Sequence, residues 1–355
     1  MSRESRRDAP PVEVRSCVMS LSPNHARIAT LHPLAAVAGG RVTIRGSGAG
    51  CAGGTMPAVR IGDALAQVVY ADRDTVACLV PAGLAGGTTP VRIATAPGET
   101  LFLNVGAPVA TGVHQVDSPV LDSAGALYLT YSGARGDRSP VSVFRLRRDG
   151  FREPFVTGIT NPTSMAFDPG GRLHVSSRFD GTVFAVGADG RIEQVVTDLG
   201  VTCGLAFDQD GTLHVGDRSG TIFRVTPSGQ VSRFATLPPS VAAFHLAMAP
   251  SGDLYVTAPT LSTCDAVYRV DRVGTVTTLT RRFGRPQGLA FDSRGTLHVV
   301  EALAGASGLY RVWADGEDEQ IVAAPSLVGV AFDTSGGAVV VSGDTAYRFD
   351  TLNRH

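Results

Sequence analysis

The chain of 355 residues carries 31 basic and 32 acidic side chains, a formal net charge of −1, so its totals favour no phosphate-binding surface. Every basic residue is arginine, which excludes lysine Schiff-base and lysine general-base chemistry. Glycine (42) and proline (21) make up about 18% of a chain that is 43% hydrophobic, against a usual ~12%, so a folded protein of many tight turns and short strands is implied.

The first 22 residues mix charges with Pro10-Pro11 and carry no apolar segment after the arginines. They predict a flexible leader and no secretory signal, with cytoplasmic residence as the default. Nowhere does an apolar run approach the ~18 residues needed to cross a membrane, so no membrane partner is expected. Cys17, Cys51, Cys78, Cys203 and Cys264 are odd in number and lack CxxC spacing, which fits neither a disulfide framework nor a zinc site. A Cys51–Cys78 bridge stays open.

Residues 23–106 read as a small β-sandwich. Val42-Thr43-Ile44, Val59-Arg60-Ile61, Gln67 to Tyr70, Val76 to Val80 and Val91-Arg92-Ile93 are short β runs joined by glycine-rich turns. Gly48 to Gly53 spell GxGxxG, but Gly54-Thr55-Met56-Pro57 and another strand follow. A dinucleotide site needs a helix N-terminus there, so no cofactor is predicted.

From residue 107 to 355 one unit recurs. It reads SMAFDPGGRLHV from Ser164, GLAFDQDGTLHV from Gly204, HLAMAPSGDLYV from His245 and GLAFDSRGTLHV from Gly288, with degenerate copies from Ser118 and Val328. Taking the aspartate or its equivalent (Ala249 in the fourth copy) as register gives 122, 168, 208, 249, 292 and 333, with intervals of 46, 40, 41, 43 and 41. A strand-built period near 40 means propeller blades of four strands, and six copies predict six blades. Asp-x-x-Gly makes the first hairpin turn, because aspartate suits the first turn position and glycine the left-handed one. The sixth copy supplies only three strands, and the register puts Pro108–Gly112 where the outer strand Gln194–Asp198 stands in the second. That segment is predicted to close the ring and cover its open edge.

The repeats resemble NHL-type repeats and the six-bladed propellers of the gluconolactonase and senescence-marker-protein superfamily. The first domain is similar to IPT/TIG immunoglobulin-like domains through Leu31-His32-Pro33, Ala38 to Gly46, Val59 to Gly62, Val80 to Gly83 and Gly86 to Val91. The fold class is therefore all-β, an immunoglobulin-like sandwich followed by a six-bladed β-propeller. The sandwich resemblance implies a spacer or binding module without catalytic residues. The propeller resemblance implies a divalent metal near the axis held by one Glu, two Asn and one Asp. Here Asp117, Cys203, Phe244 and Gln287 occupy those slots, too few oxygen ligands for a hard cation. No metal and no inherited metal-lactonase activity are predicted.

Several chemical-looking patterns have ordinary readings. Asp208-Gln209-Asp210-Gly211 resembles a calcium loop, but it is one of the repeated turns. His174, His214 and His298 share one repeat position that Tyr128 and Tyr255 fill elsewhere, which marks half-buried packing rings. Arg145, Arg224, Arg269, Arg311 and Arg348 recur after the third-strand aromatic and are expected to pair with acids of neighbouring units.

The face opposite the regular turns receives the lead-ins to the first strands and the variable loops, where binding on a rigid scaffold concentrates. Its candidates are Asp117, Thr163, Cys203, Phe244, His245 and Gln287 around the axis, with Asp217, Arg218, Arg285 and Glu301 at the second-strand ends. The first reading is a noncatalytic module binding a small ligand or protein at this mouth, with no nucleic-acid partner. The alternative is a hydrolase or lyase of the gluconolactonase-like superfamily with a degenerate metal site, using the mouth carboxylates and His245 for acid–base work.

Overall fold

The computed structural model describes residues 26–50, 55–303 and 305–352. The expected leader, the Cys51 side of a Cys51–Cys78 bridge and the end of the Gly48–Gly53 pattern lie outside these residues. The described residues form strands and turns only, and no helix is long and apolar enough to cross a membrane.

The sandwich pairs Thr30–His32 with Arg41–Arg45, then Thr75–Leu79 and Ala64–Ala71. Val59–Ile61, Gly87–Ile93 and Leu101–Val105 continue the order. Alternating residues of these strands (Val42 and Ile44, Val59 and Ile61, Val91 and Ile93) fill its core, as period-two patterning requires.

Five antiparallel four-stranded sheets stand alone, at 120–156, 162–196, 202–236, 245–283 and 327–349, the last completed by Ala107–Ala110. In that last sheet Tyr347 pairs with Pro108 and Ala346 with Ala110, so the outer strand comes from just after the sandwich. The expectation of six separate sheets is corrected. The fifth repeat has its four strands, but its outer strand Asp318–Ala323 continues into the sandwich. Ala35–Ala36 lies parallel to Val322–Ala323 on one side and to Asn104–Val105 on the other. The approach needs small residues: a Cβ on Gly40 would stand 2.2 Å from the Ala323 carbonyl oxygen, and one on Gly106 would stand 2.7 Å from the Phe349 ring.

One rim of the ring is built alike in five units, the fourth carrying Ala249 in place of the turn aspartate. Asp208 Oδ1 accepts the Asp210 and Thr212 amides at 3.0 and 2.8 Å, and Asp292 Oδ1 accepts those of Arg294 and Thr296 at 2.9 Å. Gly211 and Gly295 follow at φ 80° and 77°, the left-handed region that glycine enters without strain. The histidines of the second strands are buried against rings, His174 edge-on to Phe207 at 4.8 Å and His298 tilted against Phe332 at 4.5 Å. Burial pushes the His298 imidazole down to about 4. The recurring arginines do not bridge units as expected. Arg145 donates to Glu153 at 2.6 Å and Arg269 to Asp253 at 2.9 Å, each within its own sheet, where the cross-strand neighbour is nearest. Arg224 lies over the Phe234 ring at 5.7 Å.

Candidate functional site at the axial mouth

The first strands surround the axis in chain order, and the sixth meets the first. Four of them break register near their start, between Pro162 and Met165, Thr202 and Gly204, Pro286 and Leu289, and Leu327 and Gly329. Thr163, Cys203, Gln287 and Val328 therefore sit on β-bulges, which re-aim side chains where a strand meets a rim. The residue after each ring position is small in five units: Ser118, Ser164, Gly204, Gly288 and Gly329. A Cβ on Gly329 would stand 2.3 Å from the Ser118 Cα, and one on Gly204 2.7 Å from the Phe244 carbonyl oxygen, so neighbouring strands close in here.

The sixth such position is His245. Its Nδ1 lies 2.6 Å from Asp117 Oδ1, a bond between the first and fourth units of the ring, which face each other across the axis. Both are enclosed, with His245 at 0% and Asp117 at 4% exposure, and His245 Nε2 has no partner among the described residues. Asp117 also accepts the Ser118 amide at 2.6 Å, while Gln115 donates to its backbone carbonyl at 2.8 Å. The pair braces the tunnel just below its mouth.

The other mouth carboxylates hold backbone. Glu301 accepts the amides of Gly284, Arg285 and Leu303 at 2.6, 2.9 and 2.6 Å. Asp217 accepts the Val201 amide at 2.8 Å and the Ser219 hydroxyl. Each thus ties its second strand to the lead-in of its own unit, as Ser177 does through the Thr160 carbonyl at 2.6 Å. Among these three carboxylates only Asp117 meets the histidine, while Asp217 and Glu301 hold backbone amides. Thr163 Oγ1 donates to the Asn161 carbonyl at 3.1 Å, and the Gln287 carbonyl accepts the Thr257 hydroxyl at 2.5 Å. Phe244 is fully buried, its side chain packed over Gly216. The Arg285 side chain is exposed.

Cys203 points its thiol at the Val201 carbonyl, 3.3 Å away, and burial pushes it up to about 12, so it stays protonated. It lies within electrostatic reach of Arg218, Asp117 and Arg178. Arg178 follows Ser177 as Arg218 follows Asp217, at matching positions of adjacent units. Burial lowers the Arg178 guanidinium, and the positive charges of Arg218 and Arg135 lower it further. Arg135 and Arg178 escaped the sequence reading, although the repeat alignment sets Arg178 opposite Arg218.

A divalent metal of the kind the propeller resemblance raises does not fit these residues. Asp117 is engaged by His245, Cys203 is a closed neutral thiol and Phe244 is packed in the core, so a hard cation would lack its oxygen shell.

A family comparison bears on the first domain, matching the IPT/TIG domain over residues 26–104. This stretch is the TIG domain of the chain. No curated protein matches the sequence. Among solved structures, a gluconolactonase from Xanthomonas campestris has a TM-score of 0.57 at 17% identity, covering 68% of this chain and 88% of its own. An auxiliary nutrient binding protein from Bacteroides thetaiotaomicron has a TM-score of 0.55 at 13% identity, covering 92% of this chain and 98% of its own. A catalytically inactive virginiamycin B lyase from Staphylococcus aureus with quinupristin has a TM-score of 0.50 at 14% identity, covering 82% of this chain and 94% of its own. At these identities the likeness shows the propeller fold. A cavity of about 980 Å³ lies elsewhere, between the TIG domain and the propeller, lined by Leu34, Phe102 and Asn104 on one side and Arg311, Gln320 and Arg348 on the other.

Proposed function

We propose that the protein is a noncatalytic binding module whose axial mouth takes a small ligand, with the TIG domain as a rigid accessory. The observation that carries this reading is the enclosure of the Asp117–His245 pair, at 4% and 0% exposure, while Asp217 and Glu301 hold backbone amides. No mouth carboxylate is then placed to move a proton on a bound substrate, and geometry is the first requirement of acid–base catalysis. The nutrient-binding structure supports the same reading, since its likeness extends over both domains whereas the gluconolactonase covers 68% of the chain. The balanced charge of −1 fits a partner other than nucleic acid, and cytoplasmic residence belongs to the same proposal.

One observation favours a hydrolase or lyase instead: a carboxylate 2.6 Å from an imidazole is the pairing that orients a general base. The two readings separate on a lactone panel assayed with and without calcium, manganese and zinc. A binding module gives no turnover above the buffer rate. Turnover that disappears in Asp117→Asn would establish the enzyme reading.

A further inference from the structure

We propose that the mouth recognises an oxyanion, a carboxylate or phosphate group on a small ligand, held between Arg178 and Arg218 with Arg135 beside them. This rests on the binding reading of the same mouth and names the chemistry it would select.

Arg178 and Arg218 follow matching second-strand ends of adjacent units, Arg178 lies within electrostatic reach of Arg218 and Arg135, and the three backbones are fixed. The Arg178 amide donates to the Asn161 carbonyl at 3.4 Å and the Arg218 amide to the Val201 carbonyl at 3.2 Å. Arg135 rides on the loop 131–142, which is tied to the second unit. Asn161 donates from Nδ2 to the Ser132 and Ala134 carbonyls at 2.6 and 2.7 Å, and its Oδ1 accepts the Gly136 amide at 2.7 Å. Asn161 is buried in the left-handed region at φ 47°, a conformation asparagine tolerates better than most residues. Phe179, half exposed, leans on Gly136 and adds an aromatic wall.

Among the described residues none of the three guanidinium groups has a carboxylate at ion-pair distance. Arg218 has one long contact, to the Val241 carbonyl at 3.4 Å. Two acids of these loops are otherwise engaged, and a third is exposed. Asp217 holds Val201 and Ser219, Asp180 accepts the Ser177 hydroxyl at 3.2 Å, and Asp137 is exposed without an ion pair among the described residues. On the floor the Cys203 thiol is neutral, and the Asp117 carboxylate is turned to His245 and the Ser118 amide. Arg178 is half-buried while Arg135 and Arg218 are exposed; like charges gathered here repel, and an anion between them converts that repulsion into charge-assisted hydrogen bonds. The planar guanidinium fork matches carboxylate and phosphate oxygens in pairs, which gives selectivity over a neutral ligand.

The test is calorimetric titration of the full chain at low salt with citrate, with inorganic phosphate and with glucose as the neutral control. Citrate or phosphate is expected to bind and to weaken about tenfold in Arg178→Gln and in Arg218→Gln, while Arg92→Gln in the TIG domain leaves it unchanged. Citrate alone assigns a carboxylate ligand and phosphate alone a phosphate ligand. Thermal melts overlaying the wild type show that the variants are folded. Anion binding that survives both mouth substitutions, or falls equally in Arg92→Gln, overturns the proposal, as does failure of both anions to bind. Glucose seated at the mouth while both anions fail removes the oxyanion and keeps the binding module. Lactone turnover removes the binding module, whatever the anions do.

Discussion

On the turn rim of the propeller, Arg145 meets Glu153, Arg172 meets Glu193 and Arg269 meets Asp253, while on the opposite rim Arg135, Arg178 and Arg218 meet no carboxylate among the described residues. The acids that cap turns and lead-ins behave alike on both. Asp208 and Asp292 hold the amides of their turns, and Asp217 and Glu301 hold the amides of the lead-ins. The difference therefore lies in the cations. Where arginines are paired within the sheet, charge serves the architecture; the unpaired ones are those that the proposed oxyanion site would use.

The comparison can be broken at its deepest point first. His245→Ala strands Asp117 in the tunnel and should cost about 4 kcal/mol, read from denaturant midpoints, because removing one partner leaves a buried charge uncompensated. A change below about 1 kcal/mol would mean the brace is loose and the site open. Glu301→Ala leaves two lead-in amides and the Leu303 amide without their acceptor and should cost about 3 kcal/mol, while melting the fifth unit's mouth loop first in hydrogen exchange.

On the turn rim, the buried neutral His298 predicts an acid limb. Its folded value, about 4, lies below the unfolded 6.5, so the unfolded chain binds the extra proton. Stability is then full above pH 6.5 and falls by about 3 kcal/mol as pH drops toward 4. His298→Tyr, the residue type that other units use at this position, should shorten that limb in urea titrations across pH. The smallest effects sharpen the contrast between rims. Arg178→Gln and Arg218→Gln should leave the melting temperature unchanged without ligand, whereas Arg269→Gln should lower it slightly. Equal losses on both rims would show hidden pairing at the mouth.

Much of the ring was legible because its signals are local. Asp-x-x-Gly fixes a turn within four residues, so the period and the borrowed outer strand near Pro108 could be read from spacing. The junction was not legible: Ala35–Ala36 is a two-residue strand without alternation, and nothing in its sequence announces a parallel partner near Val322. At the mouth, the ring positions were found, but not the bulges that aim them or the contact of His245 with a residue 128 positions away. The carboxylates were misjudged for a physical reason. Sequence shows an acid near a mouth, but not whether backbone donors already surround it, as they surround Glu301. Arg178 left a readable trace in its alignment with Arg218, but a charge becomes informative only when its partners are known.

The two alanines at positions 35 and 36 make the TIG domain and the fifth propeller unit a single hydrogen-bonded sheet. A hinge is absent where one would ordinarily divide a two-domain chain, so the domains share one mechanical frame. Torque applied to either passes directly into the other, and their loss of structure should coincide in one cooperative event.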